Sequence, residues 1–227
     1  MTFKGEFSNL SKQIILDRAI AVKGDGAVLK DIDFIIDSKD VELNGLTLVA
    51  NGSLGNLISV LESNVNLYNL DITYIVDDDM ANAISVSGTN VITDVNIVNN
   101  TIYFESHVTT DEDLTTAINL ESAEDIVIDN NDINVEIPAL YVETYDYSYF
   151  MMGLCYVNPI RIYESAAVNF TNNKLNVKSN SFDASYPTIQ ALYIVGSEII
   201  LVKGNNVTMK DEETPEGTAT YLYAVEC

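Results

Sequence analysis

The chain is poor in the residues from which metal sites, disulfide frameworks and nucleic-acid surfaces are built. Among its 227 residues there is one histidine, His107, so a site with two histidine ligands is excluded. Its two cysteines, Cys155 and Cys227, stand far apart without metal-ligand spacing and fit either free thiols or one disulfide. Eleven Lys and Arg face 34 Asp and Glu, and the net charge of −23 repels nucleic acid and anionic membranes. We expect no nucleic-acid partner, no cofactor and no metal.

Long apolar runs are also missing. No run of about 18 apolar residues occurs, and the opening "MTFKGEFSNL" lacks the apolar centre of a signal peptide. We therefore expect no direct membrane insertion by this chain. The hydrophobic content of 47% is nevertheless ample for a continuous core.

What the chain does contain is a repeat. Four phrases share one template, namely apolar, any, Asn or Gly, Asn, any, apolar, any, apolar. They are "NIVNNTIYF" (96–104), "VIDNNDINV" (127–135), "NFTNNKLNV" (169–177) and "LVKGNNVTM" (201–209). Weaker copies are "VLKDIDFII", "ELNGLTLVA" and "NLYNLDITY". The first apolar residues of the seven copies are Leu29, Leu43, Leu67, Ile97, Ile128, Phe170 and Val202.

A second phrase precedes the later copies, as in "NAISVSGTNV" and "PIRIYESAAV". Each unit thus reads as strand, bend, strand, Asn turn and strand, with apolar and polar residues alternating. The bends are expected near Ser63, Ser87, Ser122, Ser165 and Ser197.

Units of three short strands that recur every 24 to 42 residues predict a solenoid, because no unit can bury its apolar face alone. We predict an all-β fold, a single right-handed parallel β-helix of about seven turns spanning 1–227. The spacing of 14 from Leu29 to Leu43 is too short for three strands, so we expect an irregular first turn. Residues 1–30 are interpreted as an N-terminal cap with the first strands, and 31–227 as the coils.

The asparagine pairs are interpreted as structural. Asn and Gly tolerate the left-handed conformation that a sharp bend requires. Stacked turn upon turn, their side-chain amides can also form a hydrogen-bonded ladder along the coil. The predicted ladder consists of Asn100, Asn131, Asn173 and Asn205.

The phrases "AISVSGTNVITDVNIVNN" and "AINLESAEDIVIDNNDI", with "IILDRAIAVKGDGAVLKDIDFIIDSKDVELNGLTL", resemble adhesin-like surface proteins of methanogenic archaea, within the pectin-lyase-like β-helix superfamily. The resemblance covers essentially the whole chain. It implies an extracellular, cell-surface location and a role in cell adhesion. It also implies that this chain is a fragment of a longer archaeal repeat protein that carries the signal and anchor. The final "ATYLYAVEC" is interpreted as the first strand of another turn.

Extra length falls mainly before the next first strand, in insertions at 74–83, 105–116, 137–159 and 179–190. We expect all four at one corner, and insertions on one face of a repeat protein are commonly its binding face. The third insertion is rich in aromatic rings, which suit sugar stacking or protein contacts, or merely cover the coil. The candidate ligand-binding residues are Tyr141, Tyr145, Tyr147, Tyr149, Phe150 and Tyr156.

Three acidic runs, at 77–79, 111–113 and 211–213, lack the alternating ligand spacing of a calcium loop and are interpreted as solvated loops. Sequons for N-glycosylation occur at Asn9, Asn51, Asn99, Asn169 and Asn206, of which Asn51 is the best candidate if the protein is exported.

Catalytic residues are not expected. The hydrolase-like phrases of the superfamily are missing, and "RIY" at Arg161 lacks the lysine of the nearest one. His107 lies in a polar insertion and Arg18 in the presumed cap. We therefore expect a monomeric, non-catalytic adhesin-type module that binds a glycan or surface protein of another cell. The alternatives are a structural stalk or envelope repeat without ligand and, more remotely, a polysaccharide lyase or hydrolase.

Overall fold

The computed structural model describes residues 1–8, 13–52, 55–77, 81–107, 115–137, 154–180, 186–211 and 221–223. In 154–157, 186–189, 211 and 221–223 only the backbone is described. Within these ranges the regular elements are all strands. The strands are β1(Thr2–Phe3), β2(Glu6–Phe7), β3(Ile14–Leu16), β4(Ile20–Gly24), β5(Val28–Lys30), β6(Phe34–Ile36), β7(Val41–Asn44), β8(Thr47–Asn51), β9(Ile58–Val60), β10(Val65–Tyr68), β11(Asp71–Val76), β12(Asn82–Val86), β13(Ile92–Val98), β14(Thr101–Ser106), β15(Thr116–Glu121), β16(Ala123–Asp129), β17(Asp132–Ile137), β18(Leu154–Val157), β19(Ile160–Tyr163), β20(Ala166–Thr171), β21(Lys174–Ser179), β22(Tyr186–Gln190), β23(Leu192–Val195), β24(Leu201–Lys203), β25(Asn206–Asp211) and β26(Tyr221–Tyr223).

The strands form three long parallel sheets and one short one. Sheet A has the order β1-β4-β7-β10-β13-β16-β20-β24, and sheet B the order β2-β5-β8-β11-β14-β17-β21-β25. Sheet C has the order β3-β6-β9-β12-β15-β19-β23, and sheet D the order β18-β22-β26. The chain visits sheets C, A and B in turn, and each strand pairs with its counterparts one coil earlier and one coil later. The fold is therefore a right-handed parallel β-helix, as predicted.

Strand register supports the repeat that was read from the sequence. Six of the seven template positions stack in sheet A, each opposite the next: Leu43, Leu67, Ile97, Ile128, Phe170 and Val202. The template therefore marks the same point of every coil from the third onward.

The placement of Leu29 in that column is wrong. Leu29 lies on β5 and pairs with Leu48 in sheet B, whereas Val22 on β4 pairs with Leu43. The spacing from Leu29 to Leu43 is short because Leu29 lies in sheet B and Leu43 in sheet A. With Val22 in the column, β3, β4 and β5 make a regular coil, and residues 1–30 contribute strands to all three long sheets.

The core is the stack of inward residues from these sheets. Alternation of buried and half-buried residues is regular along β11, β14 and β17. Tyr74 and Phe104 are fully buried, with ring centroids 6.0 Å apart in an edge-to-face arrangement. Burial of this continuous apolar column is the main stabilising contribution to the fold.

The asparagine ladder is present at the corner between sheets A and B. Asn131 donates its side-chain amide to Asn173 Oδ1 of the next coil at 2.9 Å and to the Ile97 carbonyl of the previous coil at 2.9 Å. The backbone N–H of Asn100 donates to Asn131 Oδ1 at 2.9 Å, and that of Asn173 to Asn205 Oδ1 at 2.8 Å. Asn100, Asn131 and Asn173 are all buried, so each rung satisfies polar groups that have no access to water.

The two asparagines of each pair have different structural roles. The first residue of the pair takes the left-handed conformation, with φ of +57° at Asn99, +53° at Asn130 and +53° at Asn172. The second residue forms the ladder. Gly45 and Gly204 fill the first position in two other coils, with φ of +68° and +71°.

Serines contribute at the corner between sheets C and A. The Ala123 N–H donates to Ser165 Oγ at 3.2 Å, and the Ser165 N–H donates to Ser197 Oγ at 3.0 Å. The Thr93 N–H donates to Ser63 Oγ at 3.0 Å. Ser122 itself bends the chain, with φ of +53°.

Candidate functional site

The strand order places the four sequence insertions at one corner of the coil. The first two connect sheet B to sheet C, whereas the third and fourth, predicted at 137–159 and 179–190, contain β18 and β22 of sheet D on the way from sheet B to sheet C. We call this edge the insertion corner. Its connections run from β11 to β12, from β14 to β15, from β17 to β18, and from β21 to β22.

The outer face of sheet C beside this corner is shielded from solvent. All five residues of β12 are buried, and so are the first five of β15. The corresponding strands of sheet B alternate between buried and half-buried positions instead. On sheet C the outward row includes Ser85, Asn119 and Arg161, which pair in register and are only 5%, 7% and 8% exposed. A buried polar row on the outside of a coil differs from the solvated outer face that alternation predicts.

Arg161 anchors this row. Its Nη1 donates to Asn119 Oδ1 at 2.8 Å and lies 3.3 Å from Glu121 Oε2. The guanidinium carbon stands 4.5 Å from the centroid of the Tyr163 ring, a cation–π contact. These contacts pair the buried charge, as burial of an Arg requires, and a guanidinium cannot be deprotonated in a protein.

A second polar cluster lies on the outer face of sheet B, near the insertion corner. Tyr103 Oη lies 2.6 Å from Glu105 Oε2 and 2.7 Å from Glu136 Oε2. Lys178 Nζ donates to Glu136 Oε1 at 2.8 Å. His107 Nε2 lies 2.6 Å from Glu105 Oε1. The two carboxylates therefore alternate with the side chains of His107, Tyr103 and Lys178 across three coils.

These contacts raise the pKa of the tyrosine and lower the pKa values of the two carboxyl groups. Burial, followed by the bonds to the two carboxylates, raises the pKa of Tyr103 above its usual value. The bond from Tyr103, followed by that of His107, lowers the pKa of Glu105. The bond from Lys178, followed by that of Tyr103, lowers the pKa of Glu136. The single hydroxyl proton of Tyr103 serves one carboxylate at a time, and the cluster favours a neutral tyrosine between two charged carboxylates.

Sequence reasoning singled out only one member of this cluster, His107, as a solvated histidine. Its side chain is 45% exposed, and Nδ1 stands 3.5 Å from Asp77 Oδ1. Tyr103 and Glu105 stand two residues apart on one strand, and Glu136 occupies the register position of Glu105 one coil later. Applying the repeat register to outward positions would have found the group.

The predicted aromatic site falls mostly outside the described residues, which omit Tyr141, Tyr145, Tyr147, Tyr149 and Phe150. For Tyr156 the backbone is described. It lies in β18, opposite Thr188 of β22. The role of these rings stays a prediction.

The acidic runs and the cysteine pair are likewise described only in part. Asp77 directly follows β11 and Asp211 ends β25, while the remaining acidic residues of the runs lie outside the described ranges. Cys155 lies in β18 opposite Pro187, and Cys227 is outside the described residues. Where side chains are described, no three His, Cys, Asp or Glu residues cluster as metal ligands would. The same part of the chain has no helix long and apolar enough to cross a membrane.

Four of the five predicted glycosylation acceptors can be located. Asn51, Asn99, Asn169 and Asn206 are all solvent-exposed. Asn9 lies outside the described residues. Exposure is compatible with modification, which stays a prediction.

Comparison with known proteins yields no match to any family model. No curated protein and no solved structure matches the chain either. The β-helix assignment therefore stands on the strands and their register. The resemblance to archaeal adhesin-like proteins contributes only to the proposal that follows.

Proposed function

We propose that this protein is a non-catalytic, adhesin-type binding module that presents its insertion corner to a glycan or surface protein of another cell. The observation that carries the proposal is the strand order. The insertions of unequal length all lie on the way from sheet B to sheet C. A rigid coil with variable segments at one edge is a common way to build a binding surface.

The shielded face of sheet C gives further support. Ser85, Asn119 and Arg161 are buried there although they point away from the core. We expect this row of buried polar side chains to keep sheet C rigid beside the insertion corner.

Electrostatics favour this class of partner over others. A net charge of −23 disfavours nucleic acid and anionic polysaccharides. The proposed partners are a neutral glycan or a protein surface, and the proposed location is the exterior of the cell.

Two observations bear on the alternative functions. The ladder of Asn100, Asn131 and Asn173 runs through consecutive coils, and such a rigid rod also suits a stalk that spaces another domain from the surface. For an enzyme, the basic side chains described near the corner are already engaged: Arg161 with Asn119, His107 with Glu105, and Lys178 with Glu136. We therefore keep the stalk as the second candidate.

Deletion of the aromatic segment separates binder from stalk. Because β18 begins at Leu154, the deletion removes residues 140–153 and joins the ends by a short Gly-Ser bridge. The matched control replaces Ser38 and Lys39, in the bend between sheets C and A and away from the insertion corner, by Gly-Ser. Adhesion to candidate cells and binding to a glycan array are measured with and without calcium.

A binder loses adhesion on deletion of 140–153, keeps it in the Ser38/Lys39 control, and shows unchanged thermal unfolding in both variants. Unchanged adhesion by the folded 140–153 variant would remove this segment as the binding site. Absence of adhesion by the intact chain to every cell and glycan tested would favour the stalk.

A further inference from the structure

Arg161 is the one basic residue on the described strands of sheet C. Between Lys39 and Arg161 the chain contains no Lys or Arg, so this guanidinium stands among carboxylates with little competition from other cations. The residue is only 8% exposed, although it points away from the core. A buried charge needs partners, and the protein supplies them for only part of the guanidinium.

One of the three guanidinium nitrogens carries all the hydrogen bonds. Nη1 donates to Asn119 Oδ1 at 2.8 Å and lies 3.3 Å from Glu121 Oε2. Within the described part of the chain, Nε and Nη2 of Arg161 have no hydrogen-bond partner. Neither of these two atoms is fully enclosed, so both are still reached from outside. Three of the five N–H groups of a largely buried Arg are therefore available to a ligand.

The neighbours of Arg161 hold its guanidinium in place. The guanidinium carbon lies 4.5 Å from the centroid of the Tyr163 ring, and the bond to Asn119 fixes it from the previous coil. Tyr193 pairs in register with Arg161 one coil later, and both tyrosines are half-buried. A preorganised guanidinium loses little side-chain entropy on binding. Half-buried tyrosines beside it are typical of protein interfaces.

The chemistry of the available N–H groups selects the ligand. Nε and Nη2 form one edge of the planar guanidinium, and this fork matches the two oxygens of a carboxylate. The surroundings limit the number of carboxylates that a partner can bring, because Glu121 is near and Glu164 and Glu198 are exposed in the bends after β19 and β23. A partner with one carboxylate among neutral or basic groups fits, whereas a polymer with an acid on every unit is repelled.

We propose that Arg161 binds a single carboxylate of a protein partner, from an aspartate or glutamate side chain, on the outer face of sheet C. The carboxylate accepts hydrogen bonds from Nε and Nη2, and Tyr163 and Tyr193 contact the partner residues beside it. The inference rests on the proposed function, since sheet C borders the insertion corner, and it selects a protein over a glycan as the partner.

The test follows the nitrogen-15 NMR signals of the arginine side chains in the full chain. Arg18 and Arg161 are the two arginines of the sequence, and Arg18→Lys, at an exposed site, assigns both Nε–H signals. Three probes are titrated: N-acetyl-aspartate methylamide, the neutral N-acetyl-asparagine methylamide, and a trisaccharide of uronic acids. The titrations are repeated on Glu121→Gln, which removes the neighbouring negative charge. Glu124→Gln, at an exposed site of sheet A, is the matched control.

The aspartate probe should shift the Arg161 signal and bind at least about fivefold more tightly than the asparagine probe and the trisaccharide. Glu121→Gln should tighten aspartate binding about threefold, and Glu124→Gln should change it by less than about 1.5-fold. Equal binding of the aspartate and asparagine probes, equal shifts of the Arg18 and Arg161 signals, tighter binding of the trisaccharide, or no shift at Arg161 would each overturn the proposal.

Adhesion of the 140–153 deletion variant, measured on the same preparations, separates this inference from the proposed function. If the deletion keeps full adhesion, the proposed function fails, and the titration still decides on the carboxylate site by itself. If the deletion abolishes adhesion but the aspartate probe leaves the Arg161 signal unchanged, the proposed function stands and the carboxylate site is rejected.

Discussion

Asn173 Oδ1 accepts two hydrogen bonds from Asn131, one from its backbone N–H and one from its side-chain amide, both 2.9 Å long. Asn131 lies one coil earlier and repeats the arrangement with Asn100. Each ladder asparagine thus hydrogen-bonds to backbone groups of the coil before it and donates to the ladder asparagine of the coil after it.

Replacement of Asn131 by Leu should be strongly destabilising. It leaves the buried Asn100 N–H without its partner and removes the side-chain bonds to the Ile97 carbonyl and to Asn173 Oδ1, which keeps only the bond from the backbone N–H of residue 131. An unsatisfied buried group costs about 1–3 kcal/mol, so we expect a loss of about 2 kcal/mol or more in the free energy of unfolding, measured by urea denaturation. Asn169→Leu, at an exposed position of sheet A, is the control and should cost little. A loss below about 1 kcal/mol at Asn131 would count against the ladder as a stabilising device.

At Asn130 the backbone conformation, rather than the side chain, sets the requirement. Its φ is +53°, so Asn130→Val forces a β-branched residue into the left-handed region, whereas Asn130→Gly does not. Both variants lose the 2.6 Å bond from Nδ2 to Asn99 Oδ1. We expect the valine variant to be about 1–2 kcal/mol less stable than the glycine variant in thermal unfolding. Equal stability of the two would show that the bend does not need this conformation.

Removal of the Tyr103 hydroxyl should make stability less dependent on pH. A carboxyl whose pKa is lowered in the folded state stabilises the fold above its unfolded pKa, and this contribution disappears as the pH falls through the folded value. Glu105 and Glu136 both have lowered pKa values, in part through Tyr103. Tyr103→Phe should therefore cost about 1 kcal/mol at pH 7 and less at pH 3, measured by urea denaturation at each pH.

Tyr68→Phe is the control for this experiment, because the Tyr68 hydroxyl donates to the neutral Asn66 Oδ1 at 2.9 Å. Its cost should be the same at both pH values. If Tyr103→Phe also costs the same at pH 3 and pH 7, its hydroxyl does not hold the two carboxylates in their charged form.

Ile199 should be replaceable with a gain in stability. Ile199→Asn relieves the strain of a β-branched residue at φ of +56°, and the 80% exposed side chain gives up little apolar burial. We expect the free energy of unfolding to rise by about 1 kcal/mol. Val91→Asn, at an exposed position without positive φ, is the control and should bring no gain. A loss of stability at Ile199 would mean that its side chain packs in a way its exposure does not suggest.

Much of the fold follows from the sequence because a parallel coil repeats its register. Ile97, Ile128 and Phe170 fall on one column because the same pattern of apolar residues and asparagine marks the same point of each coil. The ladder follows from the same register, since a buried amide must find partners directly above and below it.

The misplacement of Leu29 has a simple physical reason. Strands of all three sheets show the same alternation, so the pattern by itself does not identify the sheet to which a short strand belongs. Where the asparagine signal is missing, as around Leu29, only pairing with Leu48 settles the assignment.

The candidate sites were less accessible to sequence reasoning. The contact of Tyr103 with Glu136 joins residues 33 positions apart, and it depends on outward side chains that the core pattern does not constrain. The left-handed conformation at Ile199 could not be expected from its residue type either.

The central claim is that the Asn ladder serves stability while the insertion corner serves binding. Adhesion per folded molecule, measured side by side for the intact chain, the 140–153 deletion and Asn131→Leu below its unfolding temperature, tests it most directly. The account predicts that the deletion abolishes adhesion and that folded Asn131→Leu adheres like the intact chain. Full adhesion by the deletion variant, or loss of adhesion by folded Asn131→Leu, would contradict it.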